Sequence, residues 1–87
     1  MRCSLLQVVL CRDGRGRLGI KISGTPSGIY VETVDRAVVR CEAGELRQGD
    51  RILAVAGRSV EHLSYHTALD TIRSAGPTIQ FTVSQLR

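Results

Sequence analysis

The stretch Arg12-Asp-Gly-Arg-Gly-Arg-Leu-Gly-Ile-Lys-Ile-Ser-Gly24 constrains this chain more than any other, because a glycine- and arginine-rich loop runs straight into an alternating run. Gly14, Gly16 and Gly19 spell G-x-G-x-x-G. A dinucleotide-binding turn of that form needs a helix after its last glycine, with the pyrophosphate on the helix N-terminus. Here Leu18, Ile20 and Ile22 fall on one side and Lys21 and Ser23 on the other. A two-residue period makes a strand, so the nucleotide reading is set aside. Glycines in a loop allow successive N–H groups to point into one concavity, which receives an anion. If the strand that follows is also an unpaired edge, it can accept an extended peptide by β-addition. The competing reading is a plain hairpin loop with its arginines in solvent, and the loop alone does not choose between them.

Composition narrows the partners. The 87 residues suffice for one domain, and 43% hydrophobic with 23% charged is ordinary for a folded protein. Tyr30, Tyr65 and Phe81 are the aromatic residues, so the core is expected from Leu, Ile, Val and Ala. Net charge is +4 and Lys21 is the sole lysine. The arginines are scattered, with only Arg12, Arg15 and Arg17 densely grouped, and platforms for stacking bases are missing; nucleic acid is not expected as a partner. Cys3, Cys11 and Cys41 lack metal-ligand spacing and read as reduced thiols, which suggests an intracellular, cytoplasmic setting. No metal or cofactor is expected, and neither a signal peptide nor a membrane span is visible.

Strands are expected over residues 5–11, 18–23, 29–34, 51–55, 58–60 and 78–84, with Val8, Leu10, Ile79, Phe81 and Val83 facing inward. A short helix is expected within residues 35–44. A clear one runs over residues 65–74, with Ser64 as N-cap, Gly76 just past its end and Pro77 beyond. Tyr65, Ala68, Leu69 and Ile72 share one of its faces, while His66, Thr67, Asp70 and Arg73 face away. The order is βββαββαβ: a mostly β domain with two helices, whose small antiparallel sheet curls into a partly open barrel or sandwich.

This order, with these words in it, resembles a PDZ domain over essentially the whole chain. Arg17-Leu18-Gly19-Ile20 is similar to the family's carboxylate-binding loop, usually G-L-G-F. Gly44-Glu-Leu-Arg-Gln-Gly49-Asp50-Arg-Ile52-Leu53-Ala-Val55-Ala-Gly57 is similar to its G-x-L-x-x-G-D-x-I-L-x-V-N-G block. Ser64-Tyr65, Ala68-Leu69, Ile72 and Ala75-Gly76, followed by residues 78–83, match its last helix and strand. The resemblance implies a binding module without catalytic activity. Leu18, Gly19 and Ile20 would supply amides to a ligand's terminal carboxylate, with Arg12 the nearest basic residue to assist and Arg15 and Arg17 as rivals. Leu18, Ile20, Ile22, Leu69 and Ile72 would line a pocket for the apolar last side chain. Tyr65, first residue of the groove helix, would select the ligand's third-from-last residue; in a minority subclass a tyrosine there favours Asp or Glu. His66 falls one step outward. The implied partners are C-terminal tails of membrane receptors, channels or signalling proteins, met by a monomeric module of a larger multidomain protein at the inner face of the plasma membrane or at cell junctions.

The sequence departs from the family pattern at Ile20 for Phe, Arg17 for the first glycine, Ala56 for Asn, and Val38-Val39 for small residues. Three rival functions remain. An enzyme built on His66 and Asp70 lacks a placed nucleophile. The Arg12/Arg15/Arg17 group could meet anionic phospholipid as a secondary activity, and an open edge strand could pair with a second copy.

Overall fold

The computed structural model describes residues 3–39 and 46–86. Its elements are β1 (Cys3–Cys11), β2 (Ile20–Thr25), β3 (Gly28–Val34), β4 (Arg51–Val55), β5 (Arg58–Ser59), α1 (Tyr65–Ser74) and β6 (Thr78–Leu86). All the strands join one antiparallel sheet in the order β1-β6-β4-β3-β2, and β5 hangs from β4. β1 and β2 stand at the two ends of that path, so the sheet is open and, among the described residues, β2 keeps one edge free of strand pairing.

The hydrophobic alternation sets which face turns inward. Val8 and Leu10 on β1, Ile29 and Val31 on β3, and Ile79, Phe81 and Val83 on β6 are buried in one cluster with Ile52, Val55, Ala68 and Ile72. β1 lies against β6 in an unbroken register from Cys3 opposite Leu86 to Cys11 opposite Thr78. Two irregularities bend the sheet: the β2–β3 register shifts between Lys21 and Ile22, and the β4–β6 register between Ile52 and Ala54. Bulges of this kind increase local twist and let a short sheet curl over its core. The buried Asp50 carboxylate accepts hydrogen bonds from Arg47 N at 2.9 Å and Gln85 Nε2 at 2.8 Å, tying the turn before β4 to the end of β6.

Helix α1 has the bounds its periodicity predicts. Ser64 accepts a hydrogen bond from Thr67 N at 3.3 Å as N-cap, and Ala68 and Ile72 are buried. Among the described residues it is the single helix. Of the second one expected within residues 35–44, residues 36–38 form a turn held by Val38 N and Val39 N on Asp35 O, and residues 40–45 lie outside the described residues. β2 begins at Ile20 instead of Leu18, because residues 12–19 form a loop closed on itself, and β6 runs on to Leu86.

The cysteines require a correction. Cys11 is disulfide-bonded, so the expectation of three reduced thiols fails for it, and with it the ground for reading an intracellular setting from cysteine usage. The partner sulfur lies outside the described residues. Spacing along the chain could not reveal the pairing, because the fold brings the sulfurs together. No helix among the described residues is long and apolar enough to cross a membrane.

Candidate functional site

The loop before β2 is organised by Asp13. Its backbone N–H donates to Arg17 O at 2.8 Å and its carbonyl accepts from Gly16 N at 3.0 Å. Its carboxylate accepts from Arg15 N at 2.9 Å, Arg17 N at 2.8 Å and Arg17 Nε at 2.8 Å. The backbone hydrogen bond from Arg17 and the further bonds of this turn hold the Asp13 carboxyl below its ordinary value, since each stabilises the charged form. The sequence reading passed over Asp13. Its signal was an aspartate two residues ahead of a backbone N–H in a glycine-rich turn, where such side chains bond their own backbone.

Beyond Arg17 the chain turns into β2. Among the described residues the N–H groups of Leu18 and Gly19 donate to no other group. Gly19 has φ +88, and its carbonyl accepts from Asp35 N at 2.7 Å. In a trans peptide the N–H points opposite to the C=O, so the Ile20 N–H faces the free edge of β2. The same edge carries Ile22, two residues on. Gly19 has no room for a side chain, because a Cβ there would stand 2.5 Å from Val39 N. The three N–H groups of 18–20 therefore lie on a backbone pinned from behind by the turn after β3.

The apolar residues named from the sequence all belong to the core or pack against it. Leu18, Ile22 and Ile72 are buried in the core cluster, and Ile20 and Leu69 pack against it half-buried. A cleft of about 460 Å³ lies over the loop, lined by Arg17, Leu18, Gly19, Ile20, Lys21, Thr33, Asp35 and Val38. No α1 residue lines it. β2 and α1 come close at Gly24, where an added Cβ would stand 2.8 Å from the Cβ of Tyr65. Tyr65 is 38% exposed, and its ring meets the exposed His66 edge-on at 5.6 Å.

The three clustered arginines part company. Arg12 turns away from the cleft to backbone carbonyls, with Nε donating to Gly76 O at 2.9 Å, Nη1 to Gly16 O at 3.3 Å and Nη2 to Ile72 O at 2.5 Å. Arg17 pairs with Asp13, and Arg15 is exposed. Among the described residues no group of three His, Cys, Asp or Glu side chains could hold a metal ion.

Comparison with known proteins gives a consistent result. The sequence profile of the PDZ domain matches residues 7–84. The chain is 33% identical over 86 residues to the Patj homolog of Drosophila melanogaster, covering 92% of this chain and 10% of that protein. It is 35% identical over 57 residues to the synaptojanin-2-binding protein of Mus musculus, covering 66% of this chain and 39% of that one. The chain thus spans well under half the length of either relative. Among solved structures, the PDZ domain from choanoflagellate SHANK1 bound to a GIRK3 peptide superposes with a TM-score of 0.83 at 24% identity, over 100% of this chain and 98% of that one.

Proposed function

The chain belongs to the PDZ domain family, a family of interaction modules rather than enzymes, and on that footing we propose that it binds the free C-terminal tail of a partner protein. The observation that carries this reading is the loop before β2, where the N–H groups of Leu18 and Gly19 donate to no described group and that of Ile20 faces the free edge of β2. The tail adds to β2 as an antiparallel strand. Its carboxylate receives the three amides, and its apolar last side chain lies among Leu18, Ile20, Ile22, Leu69 and Ile72. Tyr65 meets the third-from-last residue. The peptide held by the SHANK1 domain supports the same use of this fold.

The domain is read as one monomeric module of a longer protein that gathers receptors, channels or signalling proteins at the cytoplasmic face of a membrane or at cell junctions. The short coverage of its relatives agrees with such a setting. Peptide is favoured over anionic lipid because Arg12 is engaged by carbonyls and Arg17 by a carboxylate.

The test is fluorescence anisotropy or calorimetry with one peptide ending in an apolar residue, prepared as free acid and as amide. The acid binds with a Kd of order micromolar, and the amide binds at least about tenfold more weakly, some 1.4 kcal/mol. Equal binding of the two forms removes the carboxylate site.

A further inference from the structure

The end of α1 lacks one of its own backbone donors. Ala75 caps the helix, and Gly76 follows in the left-handed region with φ +91. In the usual glycine-terminated helix, the N–H of the next residue closes back on the carbonyl three positions before the cap. Here that residue is Pro77, which has no N–H. The carbonyl left waiting is that of Ile72, and within the helix end it receives only the Ala75 N–H, at 3.3 Å. Arg12 fills the gap from across the molecule: Nη2 donates to Ile72 O at 2.5 Å and Nε to Gly76 O at 2.9 Å. The Arg12 backbone N–H also donates to Pro77 O at 2.8 Å. A cation at a helix C-terminus is further favoured by the helix dipole.

We infer that Arg12 is a positioning residue, a clasp that fixes the carboxylate-binding loop against the end of the groove helix and so sets the size of the last-residue pocket. The inference rests on the peptide-binding reading above. Two features give it content. The loop is internally rigid, because the Asp13 turn is closed by five hydrogen bonds and Arg12 Nη1 holds Gly16 O. Ile72, whose carbonyl is clasped, carries one of the pocket side chains on the opposite flank from Leu18 and Ile20. Moving the loop relative to Ile72 changes the gap between the amides that hold the carboxylate and the wall that meets the last side chain. Arg12 therefore acts on the ligand through the helix, without touching the carboxylate. A lysine cannot replace it, since one ammonium lacks the planar fork that reaches two carbonyls at once.

The clasp itself is tested without any ligand. In a thermal-denaturation cycle of the parent, Arg12→Gln, Pro77→Ala and the double variant, Pro77→Ala restores an N–H for Ile72 O. It thus recovers part of the midpoint lost in Arg12→Gln while giving little or no gain in the parent. Strict additivity of the two changes overturns the clasp. The effect on binding is then read with acid-ended peptides terminating in Val, Leu or Phe, and with one amide control, on the parent and on Arg12→Lys and Arg12→Gln. The variants narrow the spread of affinities among the three last residues at least about threefold, while the preference of acid over amide stays within about twofold of the parent. An acid-to-amide ratio that collapses with the last-residue ranking intact makes Arg12 a carboxylate contact and overturns the inference. If Arg12→Gln does not fold, Arg12→Lys carries both measurements. A parent that binds none of the peptides, with the thermal cycle coupled as expected, defeats the peptide reading and leaves the clasp standing.

Discussion

A Cβ built on Gly24 would stand 2.8 Å from the Cβ of Tyr65 and 3.5 Å from its Cα, so β2 and α1 meet backbone to backbone at the first residue of the helix. The listing of apolar positions in the sequence gives no hint of this contact, because neither partner makes it with a large side chain. It fixes how far the helix can stand from the strand at one end, as the Arg12 hydrogen bonds do at the other.

Gly24→Ala is therefore a steric change with no backbone strain of its own. It forces α1 away from β2 and lowers stability by about 1–3 kcal/mol, the usual range for overpacking. Urea denaturation measures it. Tyr65→Gly in the same chain removes the opposing Cβ, so the two substitutions combine to less than the sum of their separate effects. A Gly24→Ala protein as stable as the parent shows the contact to be loose.

The β4–β5 connection is two residues long, and both lie in the left-handed region: Ala56 has φ +52 and Gly57 φ +81. Such turns fit the twist of a hairpin and favour Asn or Gly at the first position. Alanine there loses about 1–2 kcal/mol to the clash of its Cβ with the neighbouring carbonyl. Ala56→Asn raises stability by about 0.5–1 kcal/mol with an unchanged denaturant slope. Ala56→Val, being β-branched, lowers it.

Asp13 gives the loop a dependence on pH. Its folded carboxyl lies below the ordinary 3.8, so the ionised form is the one the turn stabilises. Its contribution is complete above that ordinary value and is lost as pH falls through the lower folded one. In an NMR titration the amide signals of Arg15 and Arg17 move with a midpoint below 3.8, and Asp13→Asn abolishes the transition. A midpoint at or above 3.8 contradicts the hydrogen-bonded turn.

On the proposed peptide-binding reading, an acidic third-from-last ligand residue is expected to bind better than an apolar one, with Ser or Thr third. The phenol of Tyr65 would donate one hydrogen bond to the ligand's carboxylate. With the residue 38% exposed, solvent competes for that bond, and Tyr65→Phe lowers affinity for an Asp-bearing peptide by about 0.5–1.5 kcal/mol. Affinities for a peptide set varying only this position decide the matter. A parent preferring Thr, or a Tyr65→Phe protein unchanged toward the Asp peptide, removes Tyr65 as the selecting residue.

What the sequence determined by itself was whatever depends on local periodicity and chain direction. The alternation of Ile79, Phe81 and Val83 and the 3.6-residue spacing of Ala68 and Ile72 placed β6 and α1 correctly, because burial on one face is written into each element's own residues. The glycine at position 19 marked where the backbone must turn, but only packing against Val39 N explains why nothing larger fits. Tertiary structure alone decided what joins distant parts of the chain. Arg12 reads as a loop cation among three until the fold sets it beside the carbonyls of Ile72 and Gly76, sixty and more residues on. Cys11 reads as a free thiol until the fold supplies its bond. Hydrogen-bond partners and disulfides are chosen by proximity in space, and a one-dimensional pattern records only the faces that chain segments must bury.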